Sequence, residues 1–441
     1  MTLSAEPVDL VIDARWMVPV EPSGVVFEHH SLAVNRGRIV GLVPRHEIEE
    51  RFSPRERRQL EHHVLIPGLV NLHTHAAMTL LRGLADDLPL MAWLQDYVWP
   101  AEAQHVCEQF VYDGTRLACA EMLRGGVTCF NDMYFFPQAA ANAAIASGMR
   151  AAIGLIAVDF PSNYAADADD YLAKGLAVRD QLLDQPLLSF CLAPHAPYTV
   201  SERSFARVLT LAEQIGLPIH LHLHETKQEI EDGERRFGVR PIERIRRLGL
   251  LTPELIAVHA VHLNEHEIDL LAQQGCSVAH CPSSNLKLAS GIAPITQLLE
   301  RGVNIGLGTD GAASNNRLDI FQEMRLAALL AKEQGGRADA IDAHRVLHMA
   351  TLGGARALGL DAEIDSLAVG KQADLCAVNL DDIALAPCYK PASHLTYSIG
   401  REHVSDVWVG GRLRVENGRL IANNEAELIS MALLWQNKIS P

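Results

Sequence analysis

The sequence predicts an α/β fold: a (β/α)8 TIM-like barrel carrying a small β-sandwich domain built from both chain ends. Three observations carry this prediction. Eight short apolar runs alternate with helical stretches between residue 67 and about residue 365. On both sides of that region the pattern changes to short strands and hairpins. Polar residues, histidine above all, gather where the apolar runs end, the rim on which such a barrel carries its chemistry. The expected division is residues 1–66 and 366–441 as the two parts of the sandwich, with a terminal helix in the second, and 67–365 as the barrel. At 441 residues the length alone suggests about three domains, although α/β barrels often exceed that scale as one unit.

The N-terminal part opens on an alternating strand at 8–12. A hairpin follows, from 31–34 through a turn at 35–38 to 39–43. The charge-rich stretch 45–63 reads as a solvated excursion with a helical piece, its Arg55, Arg57 and Arg58 on a solvated face. The barrel strands are expected at 69–73, 128–132, 150–156, 188–193, 219–222, 256–259, 277–280 and 304–308. Helices are expected at 113–124, 201–215, 242–248, 265–274 and 295–301. Beyond 366, a strand at 373–378 precedes two hairpin signals, Gly410-Gly411 and Asn417-Gly418. The tail 426–434 reads as a short helix whose apolar face docks on the body or on a second subunit.

Composition narrows the function. The chain is 48% hydrophobic and 21% charged, ordinary for a protein with a large core. A formal net charge of -16 excludes a general nucleic-acid binder and a partner of anionic membrane surfaces. None of the eight cysteines forms a C-x-x-C pair, which implies reduced, mostly buried thiols and a cytoplasmic setting. The first twenty residues carry acidic residues where a secretory signal has a basic region. No apolar run approaches the roughly 20 residues that span a bilayer.

The chemistry begins at His73-Thr74-His75. On a strand, residues two apart face one side, so both imidazoles address one interior point. Twenty histidines make one such pair unremarkable by itself. Downstream, however, other runs end in His195, in the His220, His222, His224 series with Glu225, in His259 with His262 near it, in His280 and in Asp310. A lone histidine after a strand is usually a packed core residue; five such endings on one rim are not explained that way. His73, His75, one histidine of the 220–224 series and Asp310 supply three nitrogens and one oxygen, a donor set suited to Zn²⁺ with room for a water. Spacing alone does not choose among His220, His222 and His224.

Longer segments make the pattern specific. Pro67 to His75, His222-x-x-Glu225 and Gly308-Thr309-Asp310-Gly311 resemble the amidohydrolase superfamily, over nearly the whole chain. Within it, Trp99 to Glu102, Ala193 to Tyr198, His222 to Thr226, Ser283 to Leu288 and Gly308 to Asn316 resemble the 5-methylthioadenosine/S-adenosylhomocysteine deaminases. That resemblance implies metal ligands at His73, His75, His222 and Asp310. It implies a histidine beside the activated water at His259, a ribose-binding carboxylate at Glu102 and a substrate-contacting histidine at His195. His220, His224, His262 and His280 are left to packing or supporting roles. Binuclear relatives carry a lysine on the fourth strand; residues 187–193 contain none, so one divalent ion is expected, zinc first, with iron(II) and manganese(II) as alternatives.

The implied reaction is hydrolytic deamination of a purine nucleoside. Glu225 protonates a ring nitrogen, Asp310 and His259 take the water's proton, and C6 loses ammonia. Relatives that accept S-adenosylhomocysteine tend to carry arginines after the third strand. Residues 156–164 have none, and Asp159 would repel a carboxylate. The expectation is therefore 5′-methylthioadenosine, with S-adenosylhomocysteine and adenosine as weaker substrates. Met78, Met91, Trp93, Tyr97 and Trp99 offer an apolar pocket for a methylthio group or equally a packed core. Guanine deaminases and triazine hydrolases share the metal chemistry without a ribose carboxylate, and a scaffold that has lost its ligands is the non-catalytic alternative. The expected partner is a small molecule, not nucleic acid or membrane, and a homo-oligomer is expected from the resemblance.

Overall fold

The computed structural model describes residues 5–422 and 424–440. Eight parallel strands run in chain order around one sheet: β5 (Leu69–Thr74), β6 (Val127–Tyr134), β7 (Arg150–Ala157), β8 (Leu188–Pro194), β9 (Ile219–Leu223), β10 (Leu255–His259), β11 (Ser277–His280) and β12 (Asn304–Leu307). Preceding the barrel in chain order are β1 (Glu6–Met17), β2 (Phe27–Asn35), β3 (Arg38–Pro44) and β4 (Phe52–Pro67); following it are β13 (Leu375–Asn379), β14 (Val404–Val409), β15 (Arg412–Glu416) and β16 (Arg419–Leu420). Parallel strands need long crossovers, and helices such as Glu108–Arg124, Glu202–Ile215 and Glu265–Gln273 supply them and cover the outer face. With helices outside and packed side chains inside, β5, β6 and β7 are buried at every position. Their sequences therefore read as runs rather than alternations.

The seam between β12 and β5 is made by close backbone approach. The Asp310 amide donates to the His73 carbonyl at 2.9 Å. A Cβ on Gly308 would lie 2.8 Å from the His73 Cβ and 2.9 Å from its amide nitrogen. Only glycine lets the last strand end beside His73.

The two chain ends form one eight-stranded mixed sheet in the order β16-β15-β14-β13-β4-β1-β2-β3. The halves meet where β13 pairs antiparallel with β4, Ile66 opposite Cys376. Leu10, Ile12, Leu32, Leu65, Leu375 and Trp408, drawn from both ends, share one buried cluster. Strand β4 corrects the reading of 45–63 as an excursion. Only 45–51 is helical; 52–67 is a long strand at the centre of the sheet, parallel to β1. Its middle has no two-residue apolar alternation, because charged side chains there are neutralised rather than buried. Arg57 pairs with Asp13 at 2.7 Å and Glu49 at 2.8 Å, and Arg58 with Glu416 at 2.6 Å.

The terminal helix Glu425–Ile439 is longer than expected and docks on the body. Trp435 is buried against Phe110 and donates to Asp113 at 2.9 Å. Among the described residues, no helix is long and apolar enough to cross a membrane. Six of the eight cysteines are buried and all are free thiols.

Candidate active site

The ends of the barrel strands hold a cluster of imidazoles with a consistent division of labour between their two nitrogens. His75 donates Nδ1–H to the Met133 carbonyl at 2.6 Å, and His222 donates its own to the His195 carbonyl at 2.7 Å. His73 Nδ1 lies 3.0 Å from Nε2 of His220. With each Nδ1 engaged, the Nε2 lone pairs point inward. His222 Nε2 lies 3.2 Å from His73 Nε2, and Asp310 Oδ1 lies 3.2 and 3.3 Å from Nε2 of His73 and His75. His73 is common to two sets whose ligand atoms lie close enough to share an ion, His73, His75 and Asp310 in one and His73, His222 and His259 in the other. They are the complement of a cation, and the donor set fits a divalent ion.

The electrostatics agree for two of the three imidazoles. Burial pushes His73 down to about 4 and, with His195 nearby, pushes His222 well down. Both are neutral at pH 7, the form that binds a metal. Burial also acts on His75, but hydrogen bonding to Asp310 and its charge outweigh that and raise it to about 9, so a proton on His75 faces Asp310 where a metal ion's charge would take its place. Asp310 is held well below the carboxylate range: burial alone would raise it, and the facing His73 and His75 overcome that. The backbone is bent to bring these groups in. His224, His259 and Asp310 have φ of 56°, 71° and 62°, a left-handed conformation rare for such residues and concentrated at functional sites.

A cavity of about 1080 Å³ opens directly above the cluster. His75, His222, Glu225, His259 and Asp310 line its floor, and Glu102 and His195 its walls, while His73 is fully buried beneath. The structure thus brings all eight sequence-predicted site residues to one place. Glu225 is buried with Oε2 3.8 Å from His259 Nε2, and burial raises its carboxyl. Glu102 reaches the cavity from the helix Trp99–His105, where burial raises it to about 7 against a 2.7 Å hydrogen bond from Tyr134. His195 is held neutral, burial and the nearby His75 and His73 lowering it to about 3. Met78, Met91, Trp93 and Trp99 line the cavity, whereas Tyr97 does not and is 45% exposed.

Several contributors carried no signal in the residue pattern. Ser284 and Ser314 donate to Asp310 Oδ2 at 2.6 and 2.8 Å. Asn285 Oδ1 accepts from His259 Nδ1 at 2.9 Å, and Glu229 holds the amides of His224 and Glu225 at 2.9 and 2.8 Å. All lie in or next to segments quoted for the resemblance, but residue type alone gave them no role. Asp159 lines the cavity as well. Its carboxylate accepts from the Ser201 amide and, at 2.7 Å, from the Ser204 hydroxyl, which fixes it at the start of the helix Glu202–Ile215.

Comparison with known proteins gives a consistent result. The 5-methylthioadenosine/S-adenosylhomocysteine deaminase of Saccharophagus degradans is 47% identical over 433 residues, covering 98% of this chain and 97% of that protein. The protein of the same name from Teredinibacter turnerae is 46% identical, covering 98% of each. A crystal structure described as an adenosine deaminase from Xanthomonas campestris with bound zinc superposes with a TM-score of 0.97 at 49% identity, covering 99% of each chain. Escherichia coli guanine deaminase, at 23% identity and a TM-score of 0.81, shares the fold. Residues 64–414 match the amidohydrolase family, and the chain belongs to that family.

Proposed function

We propose that this protein hydrolyses the 6-amino group of adenine nucleosides, converting 5′-methylthioadenosine and water into 5′-methylthioinosine and ammonia. S-adenosylhomocysteine and adenosine are further substrates. The observation that carries this reading is the convergence of three Nε2 atoms and Asp310 Oδ1 beneath a cavity that also holds Glu225 and Glu102.

His73, His75, His222 and Asp310 hold one divalent ion, zinc first, whose Lewis acidity lowers the pKa of a water toward neutrality. His259 faces the same point with Nε2, its Nδ1–H fixed on Asn285, so Nε2 is free to take a proton from water. Asp310 shares in orienting that water. Glu225, whose carboxyl burial raises, donates a proton to a ring nitrogen of the purine and draws electron density from C6. Oxygen bonds to C6, the amino group takes up one proton released from water, the C6–N bond breaks to expel ammonia, and the oxygen's remaining proton returns to Glu225. Glu102 accepts from the ribose 2′- and 3′-hydroxyls, and His195 contacts the substrate from the opposite wall. The methylthio group sits among Met91, Trp93 and Trp99.

This reading places the protein in the cytoplasm, consistent with its eight free thiols. Ile429, Leu433 and Leu434, exposed on the terminal helix, support a homo-oligomer, which light scattering tests. The test of function is a panel of 5′-methylthioadenosine, S-adenosylhomocysteine, adenosine, guanine and cytosine, followed by the ultraviolet change of deamination. Turnover of the adenine nucleosides is expected; failure of all three with metal present sinks the proposal. Glu102→Ala is expected to lower kcat/KM for nucleosides while bound metal is retained. An equal loss of metal would remove the ribose role.

A further inference from the structure

Glu323 is a carboxylate with 0% exposure in the middle of the barrel's helical shell, and the mechanism above makes no use of it. It lies on the helix Ile320–Gly335 and takes no part in the metal cluster. No cation compensates it among the described residues; burial raises it to about 7, against hydrogen bonds from Ser283 and Asn315. A buried carboxylate of this kind is unfavourable unless its hydrogen bonds do something a neutral side chain could not.

Those hydrogen bonds join two segments. Glu323 Oε2 accepts from the Ser283 amide at 3.0 Å, and Oε1 accepts from Asn315 Nδ2 at 2.9 Å. Ser283 begins the turn after β11, whose next two residues reach the site: Ser284 donates to Asp310 Oδ2 and Asn285 accepts from His259. Asn315 ends the turn after β12; its Nδ2 also donates to the Thr309 carbonyl at 2.8 Å, and Ser314 before it donates to Asp310 Oδ2. Gln322, next to Glu323, donates to the Ser283 hydroxyl at 3.0 Å. One buried carboxylate therefore fastens together two segments that approach Asp310 from opposite sides. With both serines on Oδ2, Oδ1 is left facing His73 and His75, with the Gly311 amide donating to it at 2.8 Å.

The geometry points to Glu323 as a positioning residue for the metal centre: it holds Ser284, Asn285 and Ser314 in the register that aims Asp310 and His259, while touching neither. Its two acceptors face two N–H donors. A carboxamide of the same shape presents a donor to one of them, so Glu323→Gln breaks one link without opening a cavity. The inference rests on the metal-centre reading proposed above.

The experiment uses the full-length protein. Zinc affinity is measured by competition against a chelator, and kcat and KM are measured separately on 5′-methylthioadenosine. For Glu323→Gln, zinc affinity and kcat are each expected to fall by about 10- to 100-fold, with KM within about threefold of wild type. Unchanged zinc affinity and kcat overturn the inference, whatever happens to Tm, as does a rise in KM alone. The Ser284→Ala, Ser314→Ala double variant acts at the far end of the same linkage. It is expected to show a loss of the same order, and adding Glu323→Gln to it is expected to add little. Losses that multiply overturn the inference, because Glu323 then acts by another route. If Glu323→Gln does not fold, the serine pair decides alone: wild-type zinc affinity there overturns it. A wild-type protein that takes up no zinc removes the metal-centre reading itself, whereas wild-type zinc binding with an unaffected Glu323→Gln removes only the role given to Glu323.

Discussion

At the start of β7, on the N-terminal face of the barrel, Arg150 meets Asp374 through two hydrogen bonds of 2.9 and 3.2 Å. Arg150 also donates to the Pro186 carbonyl at 3.1 Å, and Asp374 accepts from the Gly410 amide at 2.6 Å. Across the barrel, at the C-terminal strand ends, His73 and His75 crowd one carboxylate oxygen of Asp310, and His222 Nε2 lies 3.2 Å from His73 Nε2. Both faces bury ionisable groups. On the first, opposite charges and hydrogen bonds cancel inside the protein, and the pair ties the barrel to the β13 end of the terminal sheet. On the second, the groups are incomplete without a cation and a substrate. Incompleteness of that kind marks the functional face of such a barrel, and completeness the structural one. Asp365 qualifies the contrast: buried on the structural side with both oxygens unpartnered, its carboxyl is pushed well up by burial and then by Asp374.

The contrast breaks if variants on the two faces behave alike. The largest effect is expected for His222→Ala, which removes one converging nitrogen. A drop in kcat/KM on the order of 10⁴-fold follows from losing several kcal/mol of Lewis-acid stabilisation, with little change in the Tm of metal-free protein. Steady-state kinetics and calorimetry on the same preparation check both halves. Arg150→Ala should do the reverse. It leaves Asp374 buried and unpaired, at a cost of about 3–5 kcal/mol in denaturant unfolding, while kcat/KM of the folded fraction stays near wild type. A large kinetic defect there would erase the distinction between the faces.

Smaller effects sharpen it. Tyr134→Phe removes the hydroxyl that holds Glu102. A hydrogen bond to a charged group makes a loss of roughly tenfold in kcat/KM the expectation for ribonucleosides, and less for 2′-deoxyadenosine. Equal losses on both would show that Tyr134 supports the wall and not the ribose contact. The last effect is a slope, small at any one step of pH. Burial raises Glu229 to about 8 from an ordinary 4.5. Between those values the unfolded chain has released a proton that the folded chain retains, so rising pH favours unfolding. Wild-type stability should therefore fall relative to Glu229→Gln from pH 5 to pH 8, by at most about 1.4 kcal/mol per pH unit. Parallel profiles for the two proteins would contradict it.

Much of this arrangement was legible before any coordinates. The eight barrel strands announced themselves because each is a short apolar run between turn residues, and all eight observed strands begin within a residue of the expected start. His73 and His75 were legible because a strand sends alternate residues to one side. His222 was not separable from His220 and His224 by spacing; only the His-x-x-Glu pattern of the resemblance chose it. The structure shows the physical difference: His222 offers Nε2 inward, His220 contacts His73 Nδ1, and His224 accepts from the Ile242 amide at 3.0 Å. What stayed hidden is of two kinds. Strand β4 hid because ion pairs, not apolar alternation, satisfy its middle. Ser284, Asn285, Ser314 and Glu323 hid because hydroxyls, amides and a lone glutamate are common everywhere, and their roles exist only once β11 and β12 are side by side.

The central claim is that the converging nitrogens and Asp310 form a centre for one divalent ion on which deamination depends. The most direct measurement strips the protein with a chelator and follows 5′-methylthioadenosine deamination while zinc is titrated back. Activity should vanish on stripping and return along a line that breaks at one equivalent, with His222→Ala showing no such break. Full activity in metal-free protein, or a break only at two equivalents, would contradict the account.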